Sequence, residues 1–298
     1  MAVKVALTFD FDALSVWIGS YGSHNPATVS RGEFAAVAVP RILQLLAAQE
    51  VLATFCIPGH TALAYPDLVR RIRDAGHEIA HHGWVHEDPS AFSEAEEREN
   101  LERGLEALQR VAGVAPEGYR SPAWRFSAST ARILLDYGFL YDSSLMGSDF
   151  VPYYVRDGDR INATAPYGFG RNVDIVELPV SWFLDDFPHF EHAEDNVGLA
   201  VPSQVEAMWL DELDYARANV EDSLFNLTFH PQVIGRGHRI IMLARLIEAM
   251  KGCADVEFTR LCEFARAWRE ANPLTEWVRS GVPQAQLGAG REAPVRRD

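Results

Sequence analysis

Short apolar runs, rich in β-branched and aromatic residues, alternate along this chain with longer stretches in which apolar residues recur at helical spacing. The short runs predict buried strands and the longer stretches predict amphipathic helices. The predicted strands span residues 3–9, 51–57, 77–80, 139–142, 175–178, 224–229 and 256–258. The predicted helices span residues 40–49, 66–75, 93–112, 129–137, 203–221, 239–250 and 259–271. Ser93 and Glu96 match a capping box at the start of the longest predicted helix, and Gly113 follows its end.

Strand–helix alternation over one domain length predicts a parallel sheet, either a closed barrel or an open doubly wound sheet. The first strand is followed by Asp10 and Asp12 rather than by a glycine-rich phosphate loop. This difference disfavours a dinucleotide site and favours a barrel with its chemistry at the C-terminal ends of the strands. Residues 143–172 are predicted to be a long loop. We expect one catalytic domain over residues 1–271, followed over residues 272–298 by either a tail or an arm that docks on a neighbouring subunit, and we expect a homo-oligomer.

The charge and the cysteines narrow the class of protein. The 298-residue chain has a formal net charge of −15, which argues against nucleic acid and anionic membranes as partners. The three cysteines, Cys56, Cys253 and Cys262, have no ligand spacing and are expected to be reduced packing residues. The N-terminal residues lack the pattern of a signal peptide, and no apolar stretch is long enough to span a bilayer. We therefore expect a cytoplasmic protein.

Two histidines and two carboxylates form a candidate metal site. His82 and His86 are four residues apart, a spacing that can place both imidazoles on one side of a helical turn. Asp10 and Asp12 alternate at the end of the first strand and therefore share a face. Together these residues offer three metal ligands and one spare carboxylate that can act on water.

Two further polar residues follow other predicted strands. Arg120 comes after a short extended segment, and His230 follows the strand at 224–229. Taken singly, each candidate has an ordinary structural explanation: a helix cap for an Asp, a packed or surface residue for a His, a surface charge for an Arg. Compatible residues at four strand ends are harder to explain in this way, because a parallel barrel directs all of them to one mouth.

Four segments resemble, in order, the motifs of the polysaccharide deacetylase (NodB-homology) family. They are Thr8-Phe9-Asp10-Phe11-Asp12, His82-Gly83-Trp84-Val85-His86, Arg120-Ser121-Pro122-Ala123-Trp124 and Leu227-Thr228-Phe229-His230. The segments at 141–144 and 178–186 resemble the intracellular branch of that family, which includes peptidoglycan-deacetylase-like proteins and allantoinases. The resemblance implies an α/β fold of a particular kind: a distorted, partly open (β/α) barrel with fewer than eight strands.

The resemblance also implies a role for each motif residue. Asp12, His82 and His86 would bind a divalent metal, with zinc as the first choice and cobalt or nickel as alternatives. Asp10 would be the general base, Arg120 would pair with it and hold it ionised and oriented, and His230 would be the general acid. A backbone N–H near Ala123 would stabilise the oxyanion. The substrate is expected to contact Pro122, Ala123, Trp124 and Asp186.

Three features depart from the usual family pattern. Phe11 separates two aspartates that are adjacent in most members, and Gly83 replaces the usual Ser or Thr that follows the first metal histidine. The usual aromatic residue of the third motif is also displaced by one position, from Ala123 to Trp124. Asp185 and Asp186 lie in an aromatic-rich segment that is interpreted either as a capped surface turn or as a lid over the substrate.

The sequence predicts a metal-dependent hydrolase of a non-peptide C–N bond. Its substrate would be an N-acetylated sugar of a glycan, or a small amide, imide or ureide. Two alternatives remain open: an allantoinase-like ureide hydrolase that works without a metal, and a barrel that binds ligands without turnover.

Overall fold

The computed structural model describes residues 3–193 and 196–280, in which the chain forms nine strands and twelve α-helices. The strands are β1 Val3–Asp10, β2 Thr54–Ile57, β3 Glu78–His81, β4 Gly118–Tyr119, β5 Tyr141–Asp142, β6 Tyr153–Asp157, β7 Arg171–Glu177, β8 Leu224–Phe229 and β9 Val256–Phe258. The helices are α1 Pro26–Glu33, α2 Ala35–Ala48, α3 Gly59–Ala64, α4 Pro66–Asp74, α5 Glu94–Ala112, α6 Thr130–Asp136, α7 Asp186–Phe190, α8 Pro202–Asn219, α9 Pro231–Ile234, α10 Gly237–Lys251, α11 Leu261–Ala271 and α12 Leu274–Ser280. A π-helical turn spans Val16–Ser20, and short 3₁₀ turns span Pro89–Ala91, Pro122–Trp124 and Trp182–Leu184.

All nine strands belong to one curled sheet. Seven of them run parallel around the curl in the order β7-β5-β4-β3-β2-β1-β8; β6 is added antiparallel at the β7 edge, and β9 pairs with the beginning of β1. Helices cover the outside of the curl. This arrangement confirms the predicted distorted, partly open (β/α) barrel, since fewer than eight parallel strands follow one another around the curl.

Isolated hydrogen bonds rather than a strand ladder join the two ends of the curl. The amide of Asn226, on β8, donates to the carbonyl oxygen of Pro179 at 3.0 Å and to the hydroxyl of Ser143 at 3.2 Å. Both acceptors lie just beyond the ends of other strands, Pro179 after β7 and Ser143 after β5. The Leu224 N–H, at the beginning of β8, also donates to the Phe150 carbonyl oxygen at 2.9 Å, so isolated hydrogen bonds bridge the seam and the barrel is partly open.

The core between the sheet and its helices is built on apolar residues that the strand register aligns. Phe9 lies beside Phe55 on β2 and Phe229 on β8, with ring centroids 4.9 and 5.3 Å away. Cross-strand aromatic contacts of this kind stabilise a sheet through both packing and burial. Phe9 and Phe229 directly precede Asp10 and His230, so their packing holds in place the strand ends at which these two polar residues lie.

Two element predictions were incomplete. The predicted loop at 143–172 contains β6, and β7 begins at Arg171 rather than at Ile175, because the two segments pair as an edge hairpin in which some residues stay exposed. The helix predicted to begin at Pro40 begins at Ala35, so Pro40 lies inside it. Ala35, Ala38 and Val39 extend its buried face and outweigh the loss of one backbone hydrogen bond at Pro40.

The first residues of the predicted tail pack on the domain. Trp277, in α12, contacts Trp268 and Tyr154 with ring centroids 5.2 and 6.0 Å away. Residues 281–298, the remainder of the predicted 272–298 tail, lie outside the described residues. Among the helices that the structure describes, none is long and apolar enough to cross a membrane.

Candidate active site

The C-terminal rim of the sheet surrounds a cavity of about 430 Å³. Asp10 ends β1 and Asp12 follows it, His82 follows β3, Arg120 follows β4 and His230 follows β8. Asp10, Asp12, His86 and His230 line the cavity, as do the apolar groups of Val16, Tyr21, Trp124, Trp182 and Phe187. The structure thus brings together the six residues for which the sequence predicted catalysis or metal binding.

Asp12, His82 and His86 form a compact ligand set. One ligand atom from each lies within 4.8 Å of the other two, and all three residues are buried. His82 Nε2 is 3.3 Å from Asp12 Oδ1, and His86 Nε2 is 3.6 Å from Asp12 Oδ2. Within the described residues, both Asp12 oxygens and His82 Nε2 lack a hydrogen-bond partner. Buried polar atoms that have no partner in the protein are what a bound cation would satisfy, so these residues fit a divalent metal.

Hydrogen bonds at the far side of each imidazole direct a lone pair into this site. His82 Nδ1 is 2.7 Å from the Arg120 carbonyl oxygen, which can only accept, so Nδ1 carries the proton. His86 Nδ1 is 2.6 Å from Ser20 Oγ, whose own proton goes to the His86 carbonyl oxygen at 2.8 Å. In the neutral form of each imidazole Nε2 is therefore the free acceptor. Fixing the tautomer through the other ring nitrogen is how proteins orient histidine ligands.

The electrostatics of Asp12 and His86 favour these protonation states, whereas at His82 the neighbouring Asp10 and Asp12 outweigh burial and raise the pKa of the imidazole. Burial opposes ionisation of Asp12, but the imidazoles of His86, His82 and His230 outweigh burial and lower the pKa of Asp12 to about 2. Burial lowers the pKa of His86 to about 4. At neutral pH Asp12 is thus an anion beside a neutral imidazole, which is the form in which both bind metals.

The segment from His82 to His86 does not form the helical turn that the spacing suggested. It is an irregular loop in which Gly83 has φ +72° and His86 has φ +63°. The Glu87 carboxylate holds it by accepting from the backbone N–H groups of Trp84 and Val85, and His81 Nδ1 accepts from Gly83 N–H at 3.1 Å. These local acceptors compete with helical hydrogen bonding and select the loop. They also fix the segment without the hydroxyl that Gly83 lacks.

Gly83→Ala is expected to destabilise the protein more than Gly138→Ala. The two glycines have φ values of +72° and +73°, so both substitutions carry the left-handed penalty of about 1 kcal/mol. A Cβ at Gly83 would also lie 2.7 Å from Pro122 Cγ, whereas at Gly138 it would meet nothing within 4 Å. Overpacking of this kind costs about 1–3 kcal/mol. Chemical denaturation of the two variants measures the difference; equal losses would mean that the contact with Pro122 relaxes freely.

Asp10 forms a buried ion pair with Arg120. Arg120 Nη1 donates to Asp10 Oδ1 at 2.8 Å, and the guanidinium is fully buried. The other donors of Arg120 contact Thr8 Oγ1 at 2.8 Å, the Ser143 carbonyl oxygen at 3.1 Å and Ser143 Oγ at 2.9 Å. Because every arm of the guanidinium is held, one oxygen of Asp10 is fixed in place. Asp10 Oδ2 remains on the side of His82, 3.8 Å from Nε2.

His230 is paired with the first aspartate of α7 and with the aspartate that caps this helix. Its Nδ1 lies 2.8 Å from Asp186 Oδ1 and 3.4 Å from Asp185 Oδ1, and Asp186 Oδ1 also accepts from the His230 backbone N–H at 2.9 Å. Burial opposes charging of this imidazole, but the carboxylates of Asp185 and Asp186 raise the pKa of His230 well above its usual range. His230 therefore carries a proton on Nε2, which lies 3.6 Å from Asp12 Oδ2.

The structure places Asp186 differently from the substrate-binding position that the sequence suggested. Its side chain is fully buried behind His230, whereas Asp185 both caps α7 and lines the cavity. Both carboxylates are buried, so the pair is not a surface turn, although Asp185 does cap a helix; Trp182, Asp185 and Phe187 of the segment line the cavity. Asp186 is a positioning residue for His230. The sequence could not show this, since the contact depends on how α7 folds back onto the end of β8.

Asp186→Asn is expected to lower kcat by about 10²–10⁴-fold with a small change in KM. An asparagine oxygen at the Oδ1 position can accept both hydrogen bonds from His230, but the variant loses a carboxylate that raises the pKa of His230, so less of the imidazole carries the proton that it is expected to donate. Asp211→Asn, an exposed change of the same charge on α8, is the control and should leave kcat unchanged. Steady-state kinetics on both variants test this; equal activity would contradict the positioning role.

The segment after Arg120 forms one wall of the cavity. Ala123 and Trp124 line it, and both have positive φ values, 50° and 52°, which are uncommon for residues with a Cβ. Trp124 packs against Trp182 across the mouth, with tilted rings whose centroids are 4.2 Å apart. Pro122 is buried behind this wall and against Gly83, so a direct substrate contact is expected of Ala123 and Trp124 rather than of Pro122. The structure describes no intramolecular acceptor for the Ala123 N–H.

Other residues of the site were not found from the sequence. Ser20, Asn196 and Arg125 also line the cavity, and Ser20 orients His86. Ser20 lies outside the four motif segments. The single usable signal was the aromatic segment at 182–190, which pointed to the correct wall without naming the contacts.

Comparisons with known proteins agree with this geometry. The family model described as polysaccharide deacetylase matches residues 3–141. Peptidoglycan deacetylase from Helicobacter pylori is 35% identical over 286 residues, which cover 91% of this chain and 98% of that protein. The crystal structure of a putative polysaccharide deacetylase from Mycobacterium smegmatis is 37% identical with a TM-score of 0.80, covering 91% of each chain. The PuuE allantoinase structure is 25% identical with a TM-score of 0.73, again covering 91% of each chain.

Proposed function

Because this chain belongs to the polysaccharide deacetylase family, we propose that it is a metal-dependent hydrolase that removes the acyl group from an N-acetylated amino sugar. The observation that carries the proposal is the set of unpartnered buried atoms on Asp12 and His82, placed between the Asp10–Arg120 pair and the His230–Asp186 pair. One carboxylate held by a guanidinium and one protonated imidazole held by a carboxylate supply the base and the acid that amide hydrolysis requires.

Asp12, His82 and His86 would hold the metal, for which zinc is the first choice and cobalt or nickel are alternatives, because two imidazoles and a carboxylate suit these ions and leave positions open. Bound there, the ion would polarise the acyl oxygen and lower the pKa of the attacking water. The residues around the ion would stabilise the oxyanion and transfer protons. Ala123 N–H would donate to the developing oxyanion.

The Asp10–Arg120 and His230–Asp186 pairs would carry out the two proton transfers of the reaction. Asp10 Oδ2 accepts a proton from the water as its oxygen attacks the acyl carbon, while Arg120 keeps the carboxylate in position. His230 Nε2–H donates a proton to the amide nitrogen as the C–N bond breaks, and Asp186 holds the imidazole in place. The products are a carboxylate and a free amine. Trp124 and Trp182, which pack against each other at the mouth, would lie against the face of a sugar ring.

A second candidate reaction is the opening of a small cyclic amide, imide or ureide. Two observations favour it: the similarity to the PuuE allantoinase structure, and the limited volume of the cavity, about 430 Å³, which lies in the range of small-molecule sites. The same base and acid would serve, because ring opening also breaks a C–N bond by attack of water on a carbonyl carbon.

A substrate panel tests both candidates. The purified protein, with and without added zinc, cobalt or nickel, would be incubated with N-acetylglucosamine oligomers, peptidoglycan fragments, cyclic imides and allantoin. Release of acetate that needs added metal supports the proposal, and metal-dependent ring opening supports the second candidate. Turnover that is unchanged by a chelator would favour the metal-free ureide hydrolase, and binding without turnover on the whole panel would favour a non-catalytic barrel.

A further inference from the structure

Two buried carboxyl groups lie side by side behind the cavity wall, and the proposed mechanism does not use them. Asp142 on β5 and Glu177 on β7 are register partners in the sheet, so their side chains leave the same face of neighbouring strands. Both are fully buried. Within the described residues, Asp142 Oδ2 and Glu177 Oε2 have no hydrogen-bond partner. Two adjacent carboxylates that are both ionised would repel strongly in such a place.

Among the residues that the structure describes, no free cation compensates for the pair. Arg120 is the cation whose charge reaches Asp142. Its donors are already committed to Asp10, Thr8 and Ser143. The next cation along β6, Arg156, is paired with Asp159 at 2.8 Å.

The register neighbours of the pair on this face of the sheet are neutral. Tyr119 is the register partner of Asp142, and Tyr153 is the register partner of Glu177. Burial raises the pKa of both phenols. His81 continues the row beyond Tyr119, and burial lowers its pKa to about 3, so it is uncharged at neutral pH. The charge of the two carboxyls must therefore be reduced within the pair itself.

The remaining carboxyl oxygens hold a turn. Glu177 Oε1 accepts from the backbone N–H groups of Ser144 at 3.1 Å and Leu145 at 2.9 Å. Asp142 Oδ1 accepts from Ser144 Oγ at 2.6 Å, and Ser144 Oγ in turn accepts from the Ser121 N–H at 2.8 Å. The pair is thus connected to the first residue of the segment that carries Ala123 and Trp124.

The same turn also supports the proposed base. Ser143 precedes Ser144, and it receives two hydrogen bonds from Arg120, one on its carbonyl oxygen and one on its hydroxyl. A displacement of this turn would move Arg120, and with it Asp10, together with the cavity wall. Two parts of the site therefore rest on one carboxyl pair.

We propose that Asp142 and Glu177 share one proton between Oδ2 and Oε2, and that this pair is a positioning device for Arg120 and for the Ser121–Trp124 wall. With one proton the pair has a single negative charge, and both orphaned oxygens gain a partner. The part of the proposal that concerns catalysis rests on the proposed function, whereas the shared proton does not.

The electrostatics of the pair support the shared proton. Burial and the neighbouring Asp142 raise the pKa of Glu177 well above its usual range, and burial raises that of Asp142 to about 6. A carboxyl group whose pKa is higher in the folded protein than in the unfolded chain binds more protons when folded. Its contribution to stability is therefore present at low pH and is lost as pH rises through the folded pKa.

Infrared difference spectroscopy tests the proton directly. The spectrum of the wild type minus that of Glu177→Gln, both at neutral pH, is expected to contain the carbonyl band of one protonated carboxylic acid. Wild type minus Glu106→Gln, an exposed change of the same charge on α5, should contain only carboxylate bands. A Glu177 difference spectrum with carboxylate bands alone would overturn the shared proton.

The pH dependence of thermal unfolding gives a second, independent measurement. In Glu177→Gln the amide oxygen keeps the acceptor for Ser144 and Leu145, and the amide N–H can replace the proton toward Asp142. We therefore expect the Tm of Glu177→Gln to fall less steeply than that of the wild type as pH rises from about 5 to 9, while Glu106→Gln follows the wild type. Parallel curves for all three proteins would contradict the proposal.

The positioning role is tested by comparing two substitutions at one site. Glu177→Ala removes the acceptor for the turn and is expected to lower kcat by up to about 10²-fold with KM nearly unchanged, whereas Glu177→Gln should retain most of the wild-type kcat. Equal losses in both variants would overturn the positioning role. If the panel finds no substrate at all, the proposed function fails, while the infrared and Tm measurements still decide the shared proton.

Discussion

Asp10→Asn is expected to lower turnover by about 10²–10⁴-fold while the protein keeps its stoichiometric metal. Asn cannot accept a proton from water, so the variant loses the proposed base. Its amide oxygen can still accept the hydrogen bond from Arg120 Nη1, which at present reaches Asp10 Oδ1 at 2.8 Å. Because Asp12, His82 and His86 are unchanged, metal binding should persist. Metal analysis of the purified variant and single-turnover assays measure the two properties separately.

A structural side effect has to be separated from the chemical one. Asp10→Asn leaves the buried Arg120 without a full counter-charge, which can cost several kcal/mol of stability. Thr8→Val is the matched control, because it removes another hydrogen bond of Arg120 Nη1 and leaves the carboxylate in place. If Thr8→Val loses as much activity as Asp10→Asn, then Arg120 alignment, not base chemistry, explains the effect. If Asp10→Asn loses its metal together with its activity, Asp10 is a ligand instead.

The parts of the fold that could be predicted from the sequence are those that local periodicity determines. The buried runs of β1, β2 and β8 and the capped helix α5 were located to within a few residues, because one face or the whole run is apolar. The edge strand β6 was not found, because it is separated from its partner β7 in the chain by a polar loop and because part of β7 is exposed. Pairing partners of an edge strand are a property of the sheet, not of the segment.

The residues of the site also divide into those that the local sequence predicts and those that depend on contacts with other segments. Asp10, Asp12, His82 and His230 were placed correctly at one rim because parallel strands bring their C-terminal ends together. The conformation of the loop after His82 was not predicted correctly, because it depends on Glu87 and His81 as hydrogen-bond partners. The sequence suggested a helix from spacing alone, and a four-residue spacing brings two imidazoles together in this loop as well.

Contacts between distant segments were the least accessible to prediction. Asp186 reaches His230 only because α7 packs against the end of β8, 44 residues away in the chain. Asp142 and Glu177 meet only because β5 and β7 are neighbours while β6, which lies between them in sequence, is placed at the edge. Both pairs lie behind groups to which the proposed function assigns catalysis. Residues of this kind have no spacing rule, so the sequence identified the groups that would react and missed most of those that hold them.

His82→Ala and Asp12→Ala are expected to abolish stabilisation of the protein by metal. At a free zinc concentration about 1,000 times its dissociation constant, the wild type should gain about 4 kcal/mol in unfolding free energy, because the folded site binds the ion and the unfolded chain does not. Either variant loses one of three ligands and should gain almost nothing. His24→Ala, which removes an exposed histidine outside the cavity, should respond like the wild type.

Thermal unfolding with and without zinc, together with metal analysis, tests this without any substrate. Asp12 has two unpartnered oxygens and faces both His82 and His86. Its substitution therefore removes the group that joins the ligand set. If the wild type supplied with zinc, cobalt or nickel shows neither bound metal nor a rise in Tm, the metal assignment is wrong. The buried carboxylate and imidazoles would then act as a hydrogen-bonded cluster, and the metal-free ureide hydrolase would become the better explanation of the site.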